Sequence, residues 1–278
     1  MEQIVQAIVL GLVQGLTEFL PVSSSGHLIV VPALLGWDDP FLQSLAFSVM
    51  LHVATLLALL LYFRADWLRL IPAGLATIRD RSFRGDPDRR LAWLLAASTV
   101  PAVIVGVTLN DVIETAFREP RLVAVTLVAG GAILWLADRL GSRTRRIEAL
   151  TFPMALGIGA AQALALVPGV SRSGISIAAG LFAGLDREAA ARFAFLMATP
   201  ITAGAGLWEL RKILTGESGV DLPLLPLAAG MVASLLAGLV AIAVTLRFLR
   251  THSVTVFVVY RIALAALVIV AWPGMWDR

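Results

Sequence analysis

The sequence predicts an all-α polytopic membrane protein, an inverted-topology repeat in which each repeat is a re-entrant helical hairpin followed by three transmembrane helices. Three observations predict it: the composition, six apolar runs of about bilayer length, and an internal similarity between two interrupted apolar segments. Of the 278 residues, 59% are apolar and only 15% charged, with a mean hydropathy of +0.87. A soluble domain carries about 45–50% apolar and about 25% charged residues. An ordinary soluble enzyme is therefore excluded, and a polytopic membrane protein is the default. There is no cysteine, which removes disulfides, thiolate metal sites and a Cys nucleophile. Three histidines are too few for a His-rich metal site. The net charge of +3 comes from arginines in short loops between apolar runs. That is a mark of membrane topology and not of nucleic-acid binding, so no nucleic-acid partner is expected.

The elements follow in order. Met1-Glu2-Gln3 supplies no basic residue ahead of the first apolar run, so that run is expected to be kept rather than cleaved as a signal. Phe41–Phe63, Leu91–Leu109, Leu122–Ala137, Phe193–Trp208 and Leu222–Leu246 carry no formal charge, and Ser253–Trp276 carries only Arg261. About 20 apolar residues cross a bilayer core, so these six are read as spans. Two other apolar regions do not fit. Gln3–Trp37 is interrupted by Glu18, Pro21 and Ser23-Ser24-Ser25-Gly26, and Ala149–Leu185 by Pro168-Gly-Val-Ser-Arg-Ser-Gly174. An arm such as His27–Gly36 reaches about 15 Å, half of a ~30 Å core. Two half-depth arms joined by polar backbone make a re-entrant hairpin, which is tolerated only inside protein or along a wet cavity.

The two interrupted regions resemble each other. Gly11-Leu-Val-Gln-Gly-Leu16 aligns with Gly159-Ala-Ala-Gln-Ala-Leu164, and Ser23-Ser-Ser-Gly26 with Ser171-Arg-Ser-Gly174, both at an offset of 148 residues. Each is followed by three spans, so a single domain over residues 1–278 divides into repeat 1, about 1–140, and repeat 2, about 149–278. Three is odd, so the second repeat is inverted. Inverted repeats with broken helices place the functional site where the breaks meet. Putting Arg64–Arg90 in the cytoplasm also sends 139–148, 186–192 and 247–252 there. Those segments then hold 15 of the 22 Lys and Arg against 5 outside, as the positive-inside rule requires. Arg79–Arg90 is read as a solvated cytoplasmic loop whose arginine excess suits anionic lipid headgroups.

Each hairpin holds one formal charge, Glu18 in the first and Arg172 in the second. A charge at membrane depth costs about 2.5–3.5 kcal/mol even on lenient scales and marks function by default. The competing reading is a buried pair that only ties the repeats together. Gln14 and Glu18 stand at i and i+4 and share a helix face; Gln14 as plain interhelical glue is the alternative. Ser23, Ser24 and Ser25 precede a new helix, as do Ser171, Arg172 and Ser173. Hydroxyls and free N–H groups at a helix start form an anion cradle, to which Arg172 adds a two-pronged phosphate grip. Helix capping alone explains the serines but not a buried arginine. His27 lies beside three hydroxyls and suits acid–base work, whereas His52 reads as a packing residue. Arg261 serves the site, neutralises an acid or snorkels; the sequence does not choose.

Gln14-Gly-Leu-Thr-Glu18-Phe-Leu-Pro-Val-Ser-Ser-Ser-Gly-His27 and Pro168-Gly-Val-Ser-Arg-Ser-Gly174 resemble the two signature motifs of the undecaprenyl-diphosphate phosphatases, the bacitracin-resistance proteins. The length, the layout and Tyr260-Arg261 match as well, and the resemblance covers essentially the whole chain. It implies a multi-pass enzyme of the bacterial inner membrane, with a site open to the periplasm. That enzyme removes the terminal phosphate of a C55 polyprenyl diphosphate and regenerates the monophosphate carrier for peptidoglycan synthesis. It also implies a divalent cation, Mg²⁺ or Ca²⁺. Family roles carry to Glu18, Ser24, His27, Arg172 and Ser173. Position 14 is Glu or Gln in the family and is Gln here, which removes one candidate metal carboxylate and leaves Glu18. Ser25 stands where some members have Thr.

On this reading Ser24 is the candidate nucleophile, His27 its acid–base partner, and Glu18 orients that pair or binds metal. Arg172, Ser171, Ser173, Ser23, Ser25 and Gln14 hold the diphosphate. A phosphoserine route and direct water attack both remain open. Phosphatidic-acid-type phosphatases pair Ser-Gly-His with a later Ser-Arg and a second His. No His follows Arg172 until His252, so that route lacks its nucleophile. The alternative function is a transporter, a flippase of a phosphorylated lipid, whose architecture inverted repeats also provide; an anion channel has little use for Glu18 beside His27. Membrane lipids are expected neighbours, and a second copy of the chain, as a homodimer, is a candidate partner.

Overall fold

A computed structural model describes residues 1–83, 85–108, 120–217 and 223–272. Its helices are α1 (Glu2–Phe19), α2 (Ser24–Leu35), α3 (Leu45–Tyr62), α4 (Arg64–Asp80), α5 (Pro87–Thr108), α6 (Pro120–Leu140), α7 (Phe152–Ala163), α8 (Arg172–Phe182), α9 (Arg187–Leu214), α10 (Leu224–Leu249) and α11 (Thr255–Ala271). Short 3-10 turns cover Ile147–Ala149 and Leu164–Leu166, and no strand occurs among the described residues. Local chemistry starts several of these helices. Ser44, Thr151 and Asp186 cap α3, α7 and α9, each side chain accepting a backbone N–H three residues on. Four helices contain an interior proline, Pro32, Pro72, Pro101 and Pro200, which packed membrane helices accommodate.

Five helices are long and apolar enough to cross a membrane: Leu45–Tyr62, Pro87–Thr108, Arg121–Leu140, Arg187–Leu214 and Leu224–Leu249. Large apolar side chains on their outer faces, among them Val232, Leu236, Val240 and Val244, are exposed, as a lipid-facing surface requires. The chain is thus a polytopic helical membrane protein. The sixth expected span appears as the 17-residue α11, with Pro273–Trp276 outside the described residues. The expected ends Leu109 and Leu222, and Arg84, Arg118 and Arg278 from the charge count, also lie outside them.

One local expectation changes. The segment Arg64–Arg90, placed in the cytoplasm from sequence, begins with a helix, α4, and the Arg79–Arg90 run read as a solvated loop gives its two ends to α4 and α5. α4 buries Asp66, Leu70 and Thr77 and leaves Leu68, Ile71, Leu75 and Ile78 exposed in one stripe. Apolar residues at this spacing beside arginines are the pattern of an interfacial helix.

The two halves interlock. α1 packs along α10, and α7 along α5, so the first helix of each half lies against the other half. Glycine makes both contacts close: a Cβ on Gly11 would strike the carbonyl of Gly230, and one on Gly159 the carbonyl of Ser98. Small residues allow such backbone approach where no hydrophobic drive between helices exists. α3 packs on α9, α6 on α11, and α8 on both α6 and α9. Phe193, Phe195 and Leu196 of α9 join Leu134, Ile177 and Ile242 in the main core.

The basic segments converge. Arg192 pairs with Asp66 at 2.7 Å, Arg187 with Asp138 at 2.6 Å, and Arg250 with Glu188 at 2.7 Å. Arg90 donates to the carbonyls of Glu148 and Leu150. The four segments that carry the arginine excess therefore sit at one end of the molecule.

Candidate functional site

The site grows from two helix breaks. α1 runs to Phe19, and Leu20 then turns extended at φ −67°, ψ 137°. Ser23 caps α2 from φ 74°, ψ 92°, and its Oγ accepts the Gly26 N–H at 3.3 Å. At the second break Gly169 takes φ +90°, a left-handed conformation suited to glycine. Ser171 then caps α8 from φ 74°, ψ 112°, its Oγ accepting the Gly174 N–H at 3.1 Å. A non-glycine residue at positive φ is strained, and the same strain appears at the equivalent serine of each break. The hydroxyls of Ser23 and Ser25 lie 3.3 Å apart, and those of Ser171 and Ser173 3.2 Å apart. Both helices thus begin with serine hydroxyls and with N–H groups that no helical carbonyl can reach.

The breaks meet at Glu18, which is 6% exposed. Ser24 Oγ donates to Glu18 Oε2 at 2.5 Å, and Gln14 Nε2 donates to the same oxygen at 3.0 Å. Arg172 Nη2 pairs with the other oxygen, Oε1, while its Nη1 donates to Thr202 Oγ1 at 2.6 Å. Ser173 Oγ donates to the Leu20 carbonyl at 3.1 Å, fastening the second tip to the first break. Gln14, Glu18, Ser24, Arg172 and Ser173 therefore form one cluster, as their positions in the sequence suggested. Ser23 and Ser171 stand at its edge as caps, with Ser25 Oγ beside Ser23 Oγ.

His27 takes a different place. Its Nδ1 donates to the Ser23 carbonyl at 2.6 Å, and its Nε2 lies 2.8 Å from the Tyr260 hydroxyl, which donates to it in the neutral ring. Both ring nitrogens are used, and the group bonded to Ser24 Oγ is Glu18. His52, read from the sequence as packing, reaches the site, with Nε2 3.4 Å from Glu18 Oε2 and Nδ1 donating to Ser48 O at 2.8 Å. Thr202 and Tyr260 also join. The signals were weak: His52 is the one histidine in the charge-free run Phe41–Phe63, and Thr202 is one of two threonines in Phe193–Trp208. Arg261, undecided from sequence, is fully buried on α11 beside both breaks.

No group of three His, Asp or Glu side chains that could hold a metal occurs among the described residues. Gln14 Oε1 is buried without a hydrogen-bond partner, next to Glu18.

The fold and this cluster define a class: polytopic helical membrane proteins with a polar site enclosed between two broken helices. Residues 7–267 match the family described as "Bacitracin resistance protein BacA", and the chain belongs to that family. Among its relatives, the "Undecaprenyl-diphosphatase" of Gemmatimonas aurantiaca is 48% identical, over 95% of this chain and 96% of its own. Those of Desulforudis audaxviator and Rubrobacter xylanophilus are each 46% identical, over 95% and 96% of this chain and 96% and 98% of their own.

Proposed function

We propose that this chain is an undecaprenyl-diphosphatase, a membrane hydrolase that cleaves the phosphoric anhydride of undecaprenyl diphosphate. It returns undecaprenyl phosphate to cell-wall synthesis, the step behind the family's bacitracin resistance. Full-length relatives of that name support the activity, and the hydrogen-bonded Ser24–Glu18–Arg172 cluster between the two breaks carries the site assignment.

Ser24 Oγ attacks the terminal phosphorus. Its proton passes to Glu18 Oε2, the acceptor it already faces. The bond from that phosphorus to the bridging oxygen breaks, and undecaprenyl phosphate leaves with the bond's electron pair. Water then hydrolyses the phosphoserine and releases inorganic phosphate. Arg172 and the N-termini of α2 and α8 hold the three non-bridging oxygens, where charge is spread in the transition state. His27 and Tyr260 brace the Ser23 cap. A divalent cation, Mg²⁺ or Ca²⁺, fits this set because both are hard ions that take oxygen ligands, and Mg²⁺ in particular is held by one or two carboxylates plus substrate phosphates. Glu18 and the unpartnered Gln14 Oε1 would hold it, and it would neutralise phosphate charge.

The breaks are re-entrant in this reading. α2 and α8, at 12 and 11 residues, reach about 16–18 Å, short of a ~30 Å core. The halves are inverted repeats in the bacterial inner membrane, with the clustered basic end in the cytoplasm and the site open to the periplasm. A flippase shares the two-break architecture but has no need of a serine hydroxyl on a buried carboxylate. Purified protein with undecaprenyl or farnesyl diphosphate, with and without chelator, decides: stoichiometric phosphate release is expected, and binding without release favours the flippase.

A further inference from the structure

Among the described residues, Arg261 is the largest side chain with no exposed surface. Its guanidinium makes five hydrogen bonds, all to backbone carbonyls. Nε donates to Leu127 O at 2.9 Å and Nη1 to Pro21 O at 3.3 Å. Nη2 donates to Gly169 O at 2.8 Å, Val170 O at 3.1 Å and Thr126 O at 3.2 Å. Pro21 lies in the first break, and Gly169 and Val170 lie in the second. A single group on α11 therefore holds both breaks and ties them to α6.

The surroundings are shaped to receive it. A Cβ on Gly130 of α6 would overlap Nη2, and one on Gly174, in the first turn of α8, would stand 3.1 Å from Nη1. Thr126 Oγ1 of α6 adds a bond to Pro168 O at 2.6 Å. No carboxylate pairs with Arg261 among the described residues. A charge kept at this depth without a counter-ion is costly, and a simple packing role would favour an apolar side chain. What an arginine offers here is a planar fork that reaches carbonyls in two directions, which a lysine's point charge does not.

We propose that Arg261 is a positioning residue for phosphoryl transfer: by holding the carbonyls of both breaks it sets the spacing between the Ser24 tip and the Arg172 tip. The proposal rests on the reading of those tips as the phosphate site. Misplacement of reacting groups by about 1 Å can cost about 10²-fold in rate, so small changes in this clamp register in kcat.

The test compares Arg261→Lys, Gly130→Ala and Gly131→Ala in the full-length protein, with kcat and KM per folded molecule. The folded fraction comes from thermal unfolding and size exclusion. Gly130→Ala keeps the arginine but puts a Cβ into overlap with Nη2 and 2.9 Å from the Val170 carbonyl that Nη2 holds, so it disturbs the clamp itself, whereas a Cβ on Gly131 meets only ordinary contacts, the nearest at 3.5 Å. The expected result is a kcat loss of about 10²-fold for Arg261→Lys and Gly130→Ala with little change in KM, and near-wild-type kcat for Gly131→Ala. Added guanidinium should also restore activity to folded Arg261→Ala, where ammonium does not. Wild-type kcat in the lysine variant, or losses that follow only the unfolded fraction with no guanidinium rescue, would overturn the proposal. Absence of phosphate release from the wild-type protein would instead remove the diphosphatase reading beneath it.

Discussion

The two breaks share a backbone and differ in their chemistry. Ser23 and Ser171 both sit at φ 74°, cap the N–H three residues on, and place their hydroxyls 3.3 and 3.2 Å from those of Ser25 and Ser173. Between these serines the first tip carries Ser24 and the second Arg172. The first is preceded by Gln14 and Glu18; the offset of 148 gives Gln162 and Leu166 in the second. A common scaffold thus offers an anion cradle twice, and a few side chains divide the labour: hydroxyl and carboxylate on one tip, cation on the other. Enclosure differs too. Eight of the eleven residues of α8 are buried against five of the twelve in α2.

The largest expected effect comes from breaking the cation side. Arg172→Ala should abolish phosphate release, and by removing the guanidinium partner of the buried Glu18 it should cost up to about 3–5 kcal/mol of stability. The folded fraction must therefore be measured alongside. Arg172→Lys should also fail largely, because a point charge cannot serve Glu18, Thr202 and phosphate together; near-wild-type turnover in that variant would reject the fork contact. Next is the hydroxyl side. Ser24→Ala should lower kcat by at least ~10³-fold, roughly 4 kcal/mol of barrier, and Ser23→Ala or Ser25→Ala by less. If Ser24→Ala keeps a tenth of the activity, water attacks and Ser24 only binds.

A smaller effect sharpens the asymmetry. Gln14 bonds Glu18, whereas Gln162, its counterpart, has neither amide atom partnered in its buried place. An unsatisfied buried group costs about 1–3 kcal/mol, so Gln162→Leu should raise the unfolding temperature and leave kcat intact, while Gln14→Leu should reduce kcat. Equal kinetic losses would mean that both glutamines serve the reaction. The smallest effect is topological. With no native cysteine, Ser142→Cys should label from the cytoplasm and Gln43→Cys from outside, both with normal activity; labelling of both from one side would contradict the inverted arrangement.

Much of this site was legible in the sequence because its signals are local. A carboxylate, a guanidinium and Ser-Gly pairs stand out in apolar runs, and the shared offset showed that the breaks belong together. The partners were less visible. His52 and Thr202 lie in charge-free stretches of α3 and α9, where no polar periodicity marks the inward face. The bond of His27 to Tyr260 spans 233 positions, so proximity in sequence favoured Ser24 as its partner when folding gave Ser24 to Glu18. The reach of Arg261 to carbonyls of both breaks has no sequence signature, because carbonyls are common to every residue. For α4 the signal was present, as Leu68, Ile71, Leu75 and Ile78 repeat at helical spacing, but the surrounding charge density read as loop.

The most direct test is a double-mutant cycle on Ser24 and Glu18, scored by kcat for phosphate release from undecaprenyl diphosphate. If the hydroxyl and the carboxylate act as one unit, Ser24→Ala, Glu18→Gln and the double variant should all fall to a similar residual rate. Losses that multiply in the double variant would show the two residues acting independently and would contradict Glu18 as the base for Ser24.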